Sequence, residues 1–209
     1  MFEIEYKGAG TVIIATKKSK LITDPKLSLV GLKDVEPKGM IELATEERFV
    51  VGSDEATLLI EGPGEYEVGD FSVHGVAAQR HLDSDGHRAT IYRVEVGEVR
   101  IALIGNVDPK LSDDQLEAVG VVDAVILPIG GGGYTLDATA AAQLVRRIDA
   151  KTVIPIHYND AALKYEVPQD EFEVFQKELG APVEEVEKLK VKTASVLPQT
   201  LTIYKLARN

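Results

Sequence analysis

The sequence predicts an α/β sandwich that includes antiparallel pairs, on three observations. Short runs rich in Val and Ile, bounded by Gly, Asp and Pro, recur along the chain as strand signals. In the first half these runs follow one another as hairpins; in the second they alternate with helix-like segments. The length of 209 residues and a hydrophobic content of 44% suit one domain over residues 1–209 with a sizeable core. A doubly wound parallel sheet would alternate strand and helix throughout, and the early hairpins argue against it.

The expected strands begin with Thr11–Thr16 and Lys20–Thr23, parted by a lysine-rich turn. Thr57–Glu61 and Phe71–Val76 follow. Thr90–Val96 and Val99–Gly105 are joined at Gly97-Glu98, which reads as a tight hairpin. Ala124–Ile129, Thr152–His157 and Thr200–Leu206 complete the set. Ser112 and Gln115 have the spacing of a capping box and open a short helix through Glu117. Asp137 caps a second helix to Asp149, with Ala138, Ala141, Val145 and Ile148 on one face. Pro168 suits the first position of a third, whose inner stripe is Phe172, Phe175 and Leu179 and which Gly180 ends. The acidic stretch 182–190 reads as an exposed helix or an oligomer edge.

Composition excludes several functions. The absence of cysteine removes disulfides, thiolate metal sites and a Cys nucleophile. A net charge of −11 disfavours nucleic-acid partners, and the densest basic stretch, Lys17, Lys18 and Lys20, reads as a solvated turn. No apolar run approaches the ~20 residues of a membrane span, and the first ten residues lack a signal-peptide layout. A soluble cytoplasmic protein with no membrane partner is expected.

The four glycines Gly130–Gly133 raise the question of a phosphate loop. No Gly-Lys-Ser/Thr follows, a solid glycine run matches the G-x-G-x-x-G spacing only trivially, and Lys151–Val153, about 20 positions on, are not acidic, so neither nucleotide fingerprint is met. The run instead follows a strand, as Asn106 follows another and His157 ends a third. Strand ends of this kind carry sites in α/β folds, and the three are expected to share one pocket. Of the other histidines, His74 lies mid-strand and reads as structural or exposed, His87 as a solvated loop residue.

Four segments carry a family resemblance: Ile60–Val76 with its Pro-Gly-Glu-Tyr-Glu-Val core, Ile101–Gly131, Tyr134–Val145 and Lys151–Tyr158. Through them the chain resembles the metallo-β-lactamase fold superfamily, in its branch of predicted Zn-dependent hydrolases. The resemblance implies an αββα four-layer sandwich with metals at one edge of the two sheets. It also implies ligand positions. The first, His-x-His-x-Asp-His, matches Ile41–Phe49, which has no His and no Asp. His81 and His157 keep two later ligand positions, while Asn106 stands where the family has an Asp. Gly131, Tyr134 and Asp137 take the pocket rim.

The diagnostic motif is therefore missing, and a catalytic zinc wants three protein ligands with an open position. The expectation is a degenerate metal site with no catalytic residue and no resident cofactor. Such a protein would bind a small molecule or a protein partner without hydrolysis, and a homo-oligomer fits as well. The alternative is a divergent metal-dependent hydrolase acting on a phosphoester, lactone or amide. Zinc or another divalent metal would then be held by His81, His157 and Glu46 or Glu47, since carboxylates are adequate ligands for such ions. Residues 28–55 depart most from the family pattern.

Overall fold

A computed structural model describes residues 1–81 and 88–209. Two sheets face each other. The first has six strands in the order β13 (Leu189–Val191), β1 (Phe2–Gly8), β2 (Thr11–Ala15), β3 (Lys20–Thr23), β4 (Ile41–Leu43) and β5 (Leu58–Ile60). The second has eight, in the order β12 (Val183–Val186), β14 (Thr202–Leu206), β11 (Thr152–Ile156), β10 (Ala124–Pro128), β9 (Val99–Leu103), β8 (Arg88–Val96), β7 (Phe71–Gln79) and β6 (Gly64–Val68).

The second sheet changes character across its width. From β6 to β9 the strands are antiparallel, and Val96 pairs with Val99 across a turn in which Gly97 has φ +62°. From β9 through β10, β11 and β14 to β12 they are parallel. The parallel strands β10 and β11 are buried on both faces, as their unbroken apolar sequences require. One face packs against the first sheet through Ile4, Val12, Leu43, Tyr92, Ile126 and their neighbours. The Tyr92 hydroxyl donates to the Ala44 carbonyl at 2.9 Å, so even this layer leaves its polar tip paired.

Three helices cover the other face: α1 (Asp113–Val119), α2 (Ala138–Ile148) and α3 (Phe172–Leu179). The capping box at Ser112 is present in both directions, at 3.1 and 2.9 Å. Asp137 caps α2 by accepting from the Ala140 N–H at 2.7 Å, and Ala138, Ala141 and Val145 face the core. On the first sheet, the side chain of Glu42 turns away from the core. It is fully buried, because its carboxylate accepts the Val51 and Gly52 N–H groups.

Several elements differ from the sequence expectation. α3 begins at Phe172, not at Pro168, because residues 168–170 are tied to the glycine loop described below. Residues 183–186 and 189–191 are strands β12 and β13, each the outer strand of its sheet, and not an exposed helix. Residues 2–8 form β1, with Phe2, Ile4 and Tyr6 inward and Glu3, Glu5 and Lys7 more exposed. His74 lies in β7, paired with Glu65, whose carboxylate is 3.4 Å from its ring. His87 lies outside the described residues. No helix among the described residues is long and apolar enough to cross a membrane.

Candidate functional site

Because β9, β10 and β11 are parallel, their C-terminal ends open side by side at one edge of the sandwich. Past these ends come Gly105-Asn106, the glycine run and His157. Opposite them stand the β1–β2 turn at Ala9-Gly10, Asp24 just past β3, and Arg48-Phe49. Between the two sides lies a cavity of about 150 Å³. Asn106, Tyr134 and His157 line it together; His81, Gly131 and Asp137 do not.

His157 is the best-fixed side chain of the site. Its backbone has φ +51°, a left-handed conformation that histidine adopts more readily than most residues. Its N–H donates to the Ala9 carbonyl at 2.9 Å and so ties the end of β11 to the opposite sheet. The ring is stacked on Tyr134, with centroids 5.6 Å apart and planes 15° apart, and packs on Tyr165 at 4.7 Å. Nδ1 is 3.1 Å from Gln169 Oε1. The Gln169 amide donates to the Val167 carbonyl at 3.1 Å, so its oxygen faces the imidazole and Nδ1 carries the proton. Burial pushes the imidazole down to about 4, against the opposing pull of Gln169, with Arg48 adding to the shift. The ring is neutral at ordinary pH.

The glycine run makes this arrangement fit. A Cβ on Gly130 would strike the His157 carbonyl and Gln169 Oε1, and one on Gly132 would strike the Pro168 carbonyl. Gly131, Gly132 and Gly133 all have φ between 64° and 73°. The Asp170 N–H donates to the Gly130 carbonyl at 2.6 Å. The Gly131 carbonyl accepts from the Tyr134 and Thr135 N–H groups at 3.1 and 3.2 Å, which delivers Tyr134 to the cavity before Asp137 starts α2. The loop's work here is close packing against residues 167–170.

Asp24 lies on the far wall and is 7% exposed. Its carboxyl accepts from the Thr45 N–H and hydroxyl, both at 2.7 Å. Burial pushes it up to about 7; the Thr45 hydrogen bonds oppose this, Glu46 adds to it and Arg48 opposes it. Gly105 packs on Thr45, where a Cβ would clash, so β9 supports this wall too.

The residues that match the family's first ligand motif do something else. Glu46 is buried, and Arg48 grips its carboxylate with two contacts of 2.9 Å. Arg80 adds a third contact at 3.6 Å. The Arg48 guanidinium lies over the rings of Phe49 and Tyr134, at 4.6 and 5.0 Å from their centroids. Glu47 is exposed. A dinuclear or catalytic zinc needs imidazole and carboxylate donors to converge. Among the described residues, no three His, Cys, Asp or Glu side chains do so. Glu46 is committed to arginines and Asn106 brings no charge. This donor set does not fit the metal centre that the fold implies.

His81 is held beside Asn106 by its N–H, which donates to the Asn106 carbonyl at 3.0 Å. Burial pushes its imidazole down, opposed by Asp108 and Asp137. Its Nδ1 and the Asn106 Oδ1 are both buried without a hydrogen-bond partner among the described residues.

Sequence reasoning did not identify Asp24, Arg48, Tyr165 or Gln169 as site residues. An Asp-Pro pair closing a short apolar strand is the one local signal for Asp24. The other three reach the cavity from loops with no pattern of their own.

A protein from Alkaliphilus metalliredigens named a metal-dependent hydrolase is 47% identical over 47 residues, which is 22% of this chain and 21% of that one. The chain thus aligns with about a fifth of that relative's length. A crystal structure of a predicted Zn-dependent hydrolase of the metallo-β-lactamase superfamily from Thermotoga maritima superposes with a TM-score of 0.78, covering 99% of each chain at 18% identity. Igni18, a metallo hydrolase from the archaeon Ignicoccus hospitalis, gives 0.64 over 86% of this chain and 90% of its own, at 14% identity. The beta-lactamase superfamily domain matches residues 3–157. The chain therefore belongs to the metallo-β-lactamase superfamily.

Proposed function

We propose that this is a metallo-β-lactamase-fold protein with a degenerate metal site, which binds a small molecule in the old cleft without hydrolysing it. The observation that carries the reading is the Glu46–Arg48 pair. A buried carboxylate gripped by a guanidinium stands in the segment where the family places its first ligands, and both of its oxygens already contact arginine. The cavity behind it is walled by Tyr134, Tyr165 and Leu27, with a few fixed polar groups, which is the usual build of a small-molecule site. An acidic chain without cysteine suits the cytoplasm.

One observation favours a second reading, a divergent metal-dependent hydrolase. His81 Nδ1 and Asn106 Oδ1 are buried and unpartnered among the described residues, and buried polar atoms without partners call for an explanation. The relatives named above as hydrolases point the same way.

Turnover separates the two. A nitrophenyl phosphodiester, a lactone and an anilide are incubated with the protein, with Zn, Mn, Fe or Mg supplied in turn. The binding reading expects rates no higher than buffer with every metal. Metal-dependent turnover that His157→Ala abolishes would establish the hydrolase instead.

A further inference from the structure

The cavity also discriminates by charge. Two charged residues that line it, Lys26 and Glu166, are half-buried and exposed respectively; the groups on its buried side are already compensated or neutral. Arg48 is neutralised by Glu46 through two contacts of 2.9 Å, and Asp24 is bound on both oxygens by Thr45. His157 gives its one proton to Gln169. A ligand that brought its own charge to this buried side would lose its hydration and find none of these three groups free to pair with it.

Size and hydrogen-bonding capacity narrow the class further. A cavity near 150 Å³ has room for one benzene ring. Tyr134 covers one side of the His157 ring, Tyr165 packs on it at 4.7 Å, and Nδ1 is engaged. The edge left to face the cavity is the one bearing Nε2. With the proton on Nδ1, Nε2 is an acceptor, and it makes no hydrogen bond among the described residues.

We propose that the cavity takes an uncharged ligand of about one ring that donates a hydrogen bond from N–H or O–H to His157 Nε2. This rests on the reading of the cleft as a binding site that works without metal. Aromatic and aliphatic walls hold the ring, and the Nε2 acceptor selects for the donor.

Four probes of nearly one shape test it by calorimetric titration: benzamide, benzoate, benzamidine and methyl benzoate. Benzamide is neutral with a donor; benzoate and benzamidine carry opposite charges; methyl benzoate is neutral without a donor. The expected order puts benzamide ahead of the other three by on the order of tenfold. Gln169→Glu supplies a second arm. A carboxylate beside Nδ1 stabilises the imidazolium and turns Nε2 into a donor, so in mildly acidic buffer benzoate should overtake benzamide. A merely structural role for Gln169 would weaken all four probes alike and would overturn the assignment. Benzoate or benzamidine binding best to the unaltered protein, or none of the four binding, would also overturn it. Each titration is repeated with zinc. Binding that appears only with zinc would overturn the reading of the cleft itself, whereas a wrong charge preference without zinc overturns this inference alone.

Discussion

Asp24→Asn should make the protein more stable in alkaline buffer, with the gain disappearing in acid. Asp24 is buried, and its folded pKa stands at about 7 against an ordinary 3.8. Folding therefore favours the protonated acid. Between these two values the unfolded chain has lost this proton and the folded chain keeps it, so stability falls as pH rises, by about 1.4 kcal/mol per unit for this one group. Above pH 7 the loss is complete and constant, on the order of 4 kcal/mol. Asparagine reproduces the protonated form. Its oxygen accepts from the Thr45 N–H, its amide donates to the Thr45 hydroxyl, and it tolerates the left-handed backbone at φ +43°.

His157 runs the opposite way. Its folded pKa of about 4 lies below the ordinary 6.5, so its contribution is full above 6.5 and is lost as pH falls towards 4. In the parent protein the two slopes oppose each other over this window. Urea unfolding of parent and variant from pH 4 to 8 checks the sign. The difference between the curves isolates Asp24 and should grow with pH up to about 7, then level off. A difference that stays constant across the range would mean that Asp24 is ionised in the folded protein throughout.

Glu46→Ala should cost about 3 kcal/mol, the scale for stripping one partner from a buried ion pair. The cost comes from what is left behind. Arg48, partly buried over the Tyr134 and Phe49 rings, loses both of its short carboxylate contacts. Glu46→Gln keeps the shape and one acceptor and should cost distinctly less. If Glu46 were instead a free metal ligand, either change would leave the metal-free protein unharmed, because removing a lone buried carboxylate relieves desolvation. Unfolding free energies of both variants in the presence of chelator decide between the two.

Much of the fold was legible, for local reasons. The Gly97 hairpin, the Ser112 capping box and the Asp137 cap are short-range devices whose residues sit within a few positions of one another, and the structure contains all three. The parallel core strands announced themselves as unbroken Val and Ile runs. What escaped is long-range or short. β4 has three residues, and the alternation of β6 rests on Tyr66 and Val68 alone, neither of them fully buried. β1 did carry period-two alternation, in Phe2, Ile4 and Tyr6. Pro168 had the right chemistry for a helix start, but tertiary contacts of residues 168–170 with Gly130 and Gly132 delay the helix to Phe172.

The candidate site was half legible. The ends of β9, β10 and β11 could be read as neighbours because parallel strands deliver their C-termini to one edge. The opposite wall could not. Asp24 comes from just past β3 and Arg48 from a short 3-10 turn, and only the folded chain shows that Glu46 belongs to Arg48.

Metal content tests the central claim most directly. Untagged protein, purified without chelator and equilibrated with Zn, Mn, Fe or Mg, is washed and analysed by plasma mass spectrometry beside His81→Ala and His157→Ala. A degenerate site predicts only trace metal in all three proteins, unchanged by either substitution. Near-stoichiometric metal in the parent, lost in both variants, would contradict it.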